Sequence, residues 1–236
     1  MNHPGFPYRI FPLGDSAITI DFGNCINEAV NDEVNARFSQ FQKNSLPGVI
    51  EIVPAYSSLS IYYDAPVLKK KIPAGQTVYD WIKKIIEDWL QPKENIKEEE
   101  KRIIKIPVCY DEEFATDIKY LADTKNLSIN EVVRIHAAKT YRVYMLGFLP
   151  GFAYMGELDE RIAMPRKPQP VKIVAGSVGI AGKQTGIYPL ASPGGWQIIG
   201  RTPLKLFDGN SVDPTLLKAG DFIQFYSITR NDFFEI

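Results

Sequence analysis

Histidine is nearly absent from this chain of 236 residues, which carries only His3 and His136. Two imidazoles exclude the histidine-rich zinc sites, so no metal centre is expected, and any histidine base falls to His136. Cysteine is equally sparse. Cys25 and Cys109 match no metal-ligand or redox spacing. No apolar run approaches the roughly 20 residues of a membrane span. The first fifteen residues are polar and broken by Pro4, Pro7 and Pro12, unlike a secretory leader. An excess of charge is missing too: 27 Lys and Arg against 28 Asp and Glu leave a net charge of −1, which excludes a polycation built for nucleic acid. With 45% hydrophobic and 23% charged residues the chain is not of disordered composition. These absences lead to the expectation of a soluble cytoplasmic protein that needs neither a membrane nor a nucleic acid.

What is there divides into two textures. In the first half, 8–12, 17–22, 49–53 and 57–63 have strand character. Ile26, Val30, Val34, Phe38 and Phe41 recur at helical spacing, as do Val78, Trp81, Ile82, Ile85 and Trp89 behind an N-cap signal of Thr77 and Asp80. This mixture predicts an α+β domain of ferredoxin-like type over residues 1–92. A polar run follows, QPKENIKEEEKR at 91–102, with one apolar residue in twelve; it predicts a solvated linker over 93–102.

The remainder, 103–236, opens with a strand at 103–109 and a short helical segment around Phe114, Ile118 and Leu121. A helix begins at the capping box of Ser128 and Glu131, and its apolar stripe runs Ile129, Val132, Val133, His136 and Thr140. His136 thus lies on the buried stripe, which suits a core histidine, although it is also the one mid-chain group that titrates near neutral pH. Beyond Tyr141, eleven of the 17 glycines and seven prolines fall before residue 210. Many short strands broken in this way predict a barrel or sandwich, closed by a last strand at 222–228.

Four features of this half bear on chemistry. From Arg161 to Lys205 there are seven basic residues and no acidic one: Arg161, Arg166, Lys167, Lys172, Lys183, Arg201 and Lys205. Such a stretch attracts carboxylate or phosphate if the charges converge, and is a set of solvated charges if they do not. The segment 176–184 (GSVGIAGKQ) imitates a phosphate loop but has Ser177 where the pattern needs glycine and Gln184 where it needs a hydroxyl, and no helix follows. A Walker site is rejected, while a site made of backbone amides stays open. In 147–154 (GFLPGFAY), aromatics alternate with Gly and Pro, as either a rigid turn or a pocket wall. Ser192 before Pro193-Gly194-Gly195-Trp196 is a nucleophile only if a base lies beside it, and otherwise opens a tight turn.

Together, the blocks 148–154, 175–182, 184–189 and 192–202 resemble the family of B-type 5-oxoprolinase subunits, also called KipI-like or allophanate-hydrolase-subunit-1. The resemblance implies an α+β domain followed by a cyclophilin-like β-barrel. It also implies membership of an ATP-dependent complex with A- and C-type subunits that opens 5-oxoproline to glutamate. Two alternatives come with it: inhibition of a sensor histidine kinase, and a component of a urea amidolyase-type carboxyltransferase. The catalytic residues expected on this basis are His136, Lys183 and Arg201. Phe148, Pro150, Gly151, Tyr154, Ser177, Gln184 and Ser192 are expected to bind substrate. Where the family commonly has Pro-Arg-x-x-Val-Pro-Ala-Gly-Ser, this chain runs from Pro170 to Ser177 without that arginine and with Lys172 close by. Lysine does not make the bidentate fork that arginine makes with a carboxylate.

Overall fold

The computed structural model describes residues 6–44, 46, 48–91 and 102–236. The expected linker therefore lies, apart from Arg102, outside the described residues. The chain divides into two compact units, residues 1–100 and 101–236.

The first unit runs β1 (Arg9–Pro12), β2 (Ala17–Asp21), α1 (Glu28–Lys43), β3 (Val49–Pro54), β4 (Ser58–Tyr63), α2 (Ala65–Lys69) and α3 (Val78–Leu90). Its four strands form one antiparallel sheet in the order β1-β2-β4-β3. Local signals set the helix starts. The Asn27 side chain accepts from the Val30 amide at 3.1 Å, and Thr77 Oγ1 accepts from the Asp80 amide at 3.0 Å. Val30, Val34 and Phe41 of α1 and Ile82, Ile86 and Leu90 of α3 pack on Ile18, Ile20, Leu59 and Ile61 of the sheet. Ile26, expected on the α1 stripe, lies ahead of the helix and is exposed. The β2–α1–β3 crossover encloses β4, as in a split βαβ unit. The unit nevertheless opens with the β1–β2 hairpin and ends in helices, unlike a βαββαβ chain. The edge strand beside β2 comes from before it in sequence rather than after the last helix, so the ferredoxin-like order is not found.

The second unit contains β5 (Ile103–Cys109), α4 (Ile118–Lys125), α5 (Ile129–Ala137), β6 (Thr140–Leu146), β7 (Ala153–Gly156), a 3-10 turn (Glu160–Ile162), β8 (Val171–Ile173), β9 (Ser177–Ala181), β10 (Gln184–Ile187), β11 (Ser192–Gly194), β12 (Gln197–Arg201), β13 (Phe222–Ile228) and α6 (Arg230–Glu235). Seven strands close a barrel in the order β10-β7-β6-β13-β5-β12-β9, and β8 and β11 form a separate two-stranded ribbon. The first and last barrel strands, β5 and β13, lie side by side and parallel from Ile103 opposite Phe222 to Cys109 opposite Ile228. At the start of that seam Arg102 grips Asp221, Nε to Oδ1 at 2.7 Å, with Nη2 on Oδ2. Asp221 also accepts from the Lys218 amide at 2.7 Å.

The capping box at Ser128 and Glu131 starts α5. The helix stops at Ala137, so Thr140 opens β6 instead of extending the apolar stripe. Ile106, Val108, Tyr141, Val143, Met155, Val178, Ile180, Ile199 and Phe225 fill one apolar core that also takes Ile118, Leu121, Val132 and Ile135 from the helices.

The bend into β9 depends on Gly176. Its φ is +82°, its amide donates to the Tyr188 carbonyl at 2.7 Å, and a Cβ here would lie 2.3 Å from the Thr202 carbonyl oxygen. Gly176→Ala therefore combines a left-handed backbone with a collision against fixed backbone. Urea unfolding is expected to show a loss of at least about 2 kcal/mol, read as a lower midpoint at unchanged slope.

Candidate functional site

Beside the barrel, the segment before α4, the β8 ribbon strand, the start of β9 and the end of β12 enclose a cleft of about 280 Å³. Ser177 and Arg201 are direct cross-strand partners on β9 and β12, so their side chains lie on one face, and both line the cleft. Ser177 is 3% exposed, and its hydroxyl makes no hydrogen bond to another described residue. Arg201 donates from Nε to the Ala175 carbonyl at 2.9 Å, and its guanidinium carbon lies 5.7 Å from the centre of the Phe233 ring. Lys172 stands on the ribbon wall, while Phe114 and Ile198 supply buried apolar surface. The wall is braced by Asp117, whose Oδ2 accepts from the Ile198 amide at 2.6 Å and holds Lys167 Nζ at 2.6 Å.

Charge pairing sorts the seven basic residues. Arg161 pairs with Asp159, Lys167 with Asp117, Lys183 with Glu160 and Lys205 with Asp208. Arg166, Lys172 and Arg201 have no carboxylate partner among the described residues. Arg166 lies over the Trp196 ring at 5.9 Å. Lys172 and Arg201 thus leave two cations without carboxylate partners lining one cleft, where together they attract an anion.

The other expected site residues fall elsewhere. His136 has no exposed surface. Thr185 Oγ1 donates to the Gly179 carbonyl at 3.1 Å and so receives His136 Nε2–H at 3.0 Å, which leaves Nδ1 to accept from the Tyr110 hydroxyl at 2.8 Å. The ring stacks on Phe225 at 4.6 Å. Burial pushes its pKa down from 6.5 to about 3. This is a satisfied, neutral core imidazole that does not line the cleft. Lys183 sits on the exposed β9–β10 turn, where its ammonium meets Glu160, and Gln184 opens β10 behind it.

Phe148, Pro150, Gly151 and Tyr154 belong to a turn and aromatic cluster on which the β8–β11 ribbon packs. Phe152 lies 4.8 Å from Tyr154, 5.0 Å from Tyr188 and 5.4 Å from Trp196, and burial raises the Tyr188 hydroxyl to about 12. Phe148 caps the cluster edge-on, with a φ of +69° and an exposed ring. Gly151, at φ +80°, fits closely against the Leu206 carbonyl and Phe207. Ser192 lies on β11 opposite Ile173, and its buried Oγ has no partner. Sequence reasoning missed Phe114, Asp117 and Phe233 as parts of the site. The Thr229–Asp232 capping box, which starts α6, was a legible signal for the helix that carries Phe233.

The backbone of the glycine-rich segment is occupied. Gly176 donates to Tyr188 and Gly182 to Met164 at 2.6 Å, and β9 between them is paired on both sides. Those amides do not form a triphosphate cradle.

The profile described as "Carboxyltransferase domain, subdomain C and D" matches residues 8–217. The chain is 46% identical over 228 residues to the B-type 5-oxoprolinase subunit of Bacillus subtilis, covering 96% of this chain and 95% of that one. The chain belongs to the family of B-type 5-oxoprolinase subunits and the carboxyltransferase C and D subdomains. Among solved structures, that of TTHA0988 superposes with a TM-score of 0.76 at 32% identity, covering 90% of this chain, which spans only 40% of that one. The urea amidolyase of K. lactis shares the fold, with a TM-score of 0.76 at 21% identity over 100% of this chain and 16% of that one. The profile match ends at residue 217, ahead of α6, the element that carries Phe233.

The His136 environment has a consequence for stability. As pH falls below 6.5 the unfolded chain takes up a proton at this residue, whereas the folded chain stays neutral until about 3. Its contribution is therefore full above 6.5 and declines between 6.5 and 3 by on the order of 1 kcal/mol per pH unit. Urea midpoints measured across that window should fall more steeply for the wild type than for His136→Gln. Parallel curves would contradict the buried neutral imidazole.

Proposed function

We propose that this chain is the B-type component of an ATP-dependent 5-oxoprolinase complex, acting in the cytoplasm with A- and C-type subunits to convert 5-oxoproline, ATP and water to glutamate, ADP and phosphate. The observation that carries this reading is the near full-length match to a B-type 5-oxoprolinase subunit. The cleft supports it. A small substrate with one carboxylate and one lactam meets two unpaired cations, Arg201 and Lys172, and one unpartnered hydroxyl, Ser177. Arg201 offers the fork that a carboxylate fits, its Nη groups being left for this task while Nε is held by Ala175.

A lactam carbonyl is a poor electrophile. Phosphoryl transfer from ATP to its oxygen releases ADP and makes the carbon electrophilic. Water adds there, the C–N bond breaks with the ring nitrogen leaving as the protonated amine, and a second water hydrolyses the resulting acyl phosphate to glutamate and phosphate. The glycine-rich segment here does not fit a triphosphate, so nucleotide binding is assigned to a partner in the complex. The contribution of this chain is to hold the substrate carboxylate and orient the lactam for transfer. His136 takes no part in the proposed site, because both of its nitrogens are occupied inside the core.

The test is glutamate release from 5-oxoproline, with and without ATP, by this chain alone and mixed with A- and C-type subunits of the same genome. Release only in the full mixture with ATP is expected. An assembled mixture that releases no glutamate would direct attention to a urea-derived substrate, and proteins that fail to assemble would favour kinase inhibition. In the active mixture Arg201→Ala should lower kcat/KM about 10- to 100-fold, the range of one lost charge-assisted hydrogen-bond pair. Lys172→Ala should cause a smaller loss.

A further inference from the structure

Arg201 is held from two sides. Its Nε is tied to the Ala175 carbonyl, and its guanidinium carbon lies over the Phe233 ring, 5.7 Å from the centre. Phe233 in turn stacks on Phe114 of the cleft wall, with ring centres 4.4 Å apart and planes 30° apart. The helix that supplies it, α6, contains no fully buried residue. Two of its residues meet the cleft lining: Arg230 pairs with Glu113, which also lines it, at 2.7 Å, while Phe233 meets both Phe114 and Arg201. The capping box of Thr229 and Asp232 fixes where the helix starts, and thereby which residue reaches Arg201. A six-residue helix that buries so little of itself contributes little to the core. Its placement instead determines the direction of a cation that has no carboxylate to hold it.

We infer that Phe233 is a positioning residue for Arg201, acting through a cation–π contact that aims the guanidinium into the cleft for the substrate carboxylate. This inference rests on the 5-oxoproline reading of the same cleft. An arginine without the ring keeps only the Nε bond to Ala175, its Nη end is less restrained, and each bound carboxylate must then supply the ordering that Phe233 provides in advance.

The experiment uses the assembled complex with 5-oxoproline as the probe, comparing wild type with Phe233→Ala, Phe233→Tyr, Arg201→Ala and the Arg201→Ala/Phe233→Ala double variant. Phe233→Ala is expected to raise KM about fivefold with kcat changed by less than about twofold, the pattern of a lost ground-state contact. Phe233→Tyr should restore the wild-type KM. The double variant should be no weaker than Arg201→Ala alone, because the ring acts through the arginine. In the full-length chain without partners, the Arg201 Nε–H resonance should move in Phe233→Ala and stay near its wild-type position in Phe233→Tyr, since it lies beside the ring. An unchanged KM in Phe233→Ala when Arg201→Ala raises it, or full additivity in the double variant, overturns the positioning role alone. An unchanged KM in Arg201→Ala overturns the carboxylate assignment of the cleft, and the positioning role falls with it.

Discussion

Closure of the barrel by the parallel seam of β5 and β13 is the constraint on which the second unit depends. Arg102 and Asp221 lock one end of this seam, and its far end pairs Cys109 with Ile228. β5 then passes its register to β12 at Cys109 and Arg201, and β12 passes it to β9, which sets Ser177 opposite Arg201. α6 begins two residues after the end of β13, so the same seam carries Phe233 to the guanidinium. A slip in the pairing would turn the cleft-facing residues toward the other face of the sheet.

Electrostatics in the cleft follow from selective neutralisation. Acidic residues outside the basic stretch reach back to cancel four of its charges, and the two left in the cleft share its lining with Phe114 and Ile198. Unpaired cations that converge on one cleft repel each other, a cost that structures tend to carry where a ligand supplies the missing charge. The Lys167–Asp117 pair shows the contrasting case. It holds the ribbon side of the cleft to the approach of α4, and Asp117 also satisfies the Ile198 amide.

How much was legible depended on whether the deciding contact was local. β5 and β13 were read from the sequence with their observed ends, and the starts of α3 and α5 followed from Thr77 and Ser128 because a cap needs only three residues of context. The order of the first sheet was not legible, since nothing near Arg9–Pro12 states that this strand takes the edge beside β2. Pairing of the basic residues was equally hidden: Lys183 and Glu160 are 23 positions apart, and no spacing rule joins them. His136 could be placed on an apolar stripe, but only Tyr110 and Thr185, from two distant strands' ends, make it a silent core group. Arg201 and Ser177 stood out through the family resemblance, whereas Phe114 and Phe233 carried no motif that singled them out.

The parallel seam also determines when the cleft can exist. Its two strands are separated by 119 positions along the chain, and a parallel pair of that separation cannot form until its later member has left the ribosome. Throughout synthesis of the intervening residues β5 keeps one unpaired edge, and its upstream half, Ile103–Ile106, waits for β13 alone. The order of events is thus written into the topology: the core helices and the β6–β7 and β9–β10 hairpins can assemble early, the barrel closes only on arrival of Phe222–Ile228, and α6 settles over Arg201 last. A nascent or truncated chain that stops short of the seam holds both of the cleft's cations yet has no finished site in which to use them.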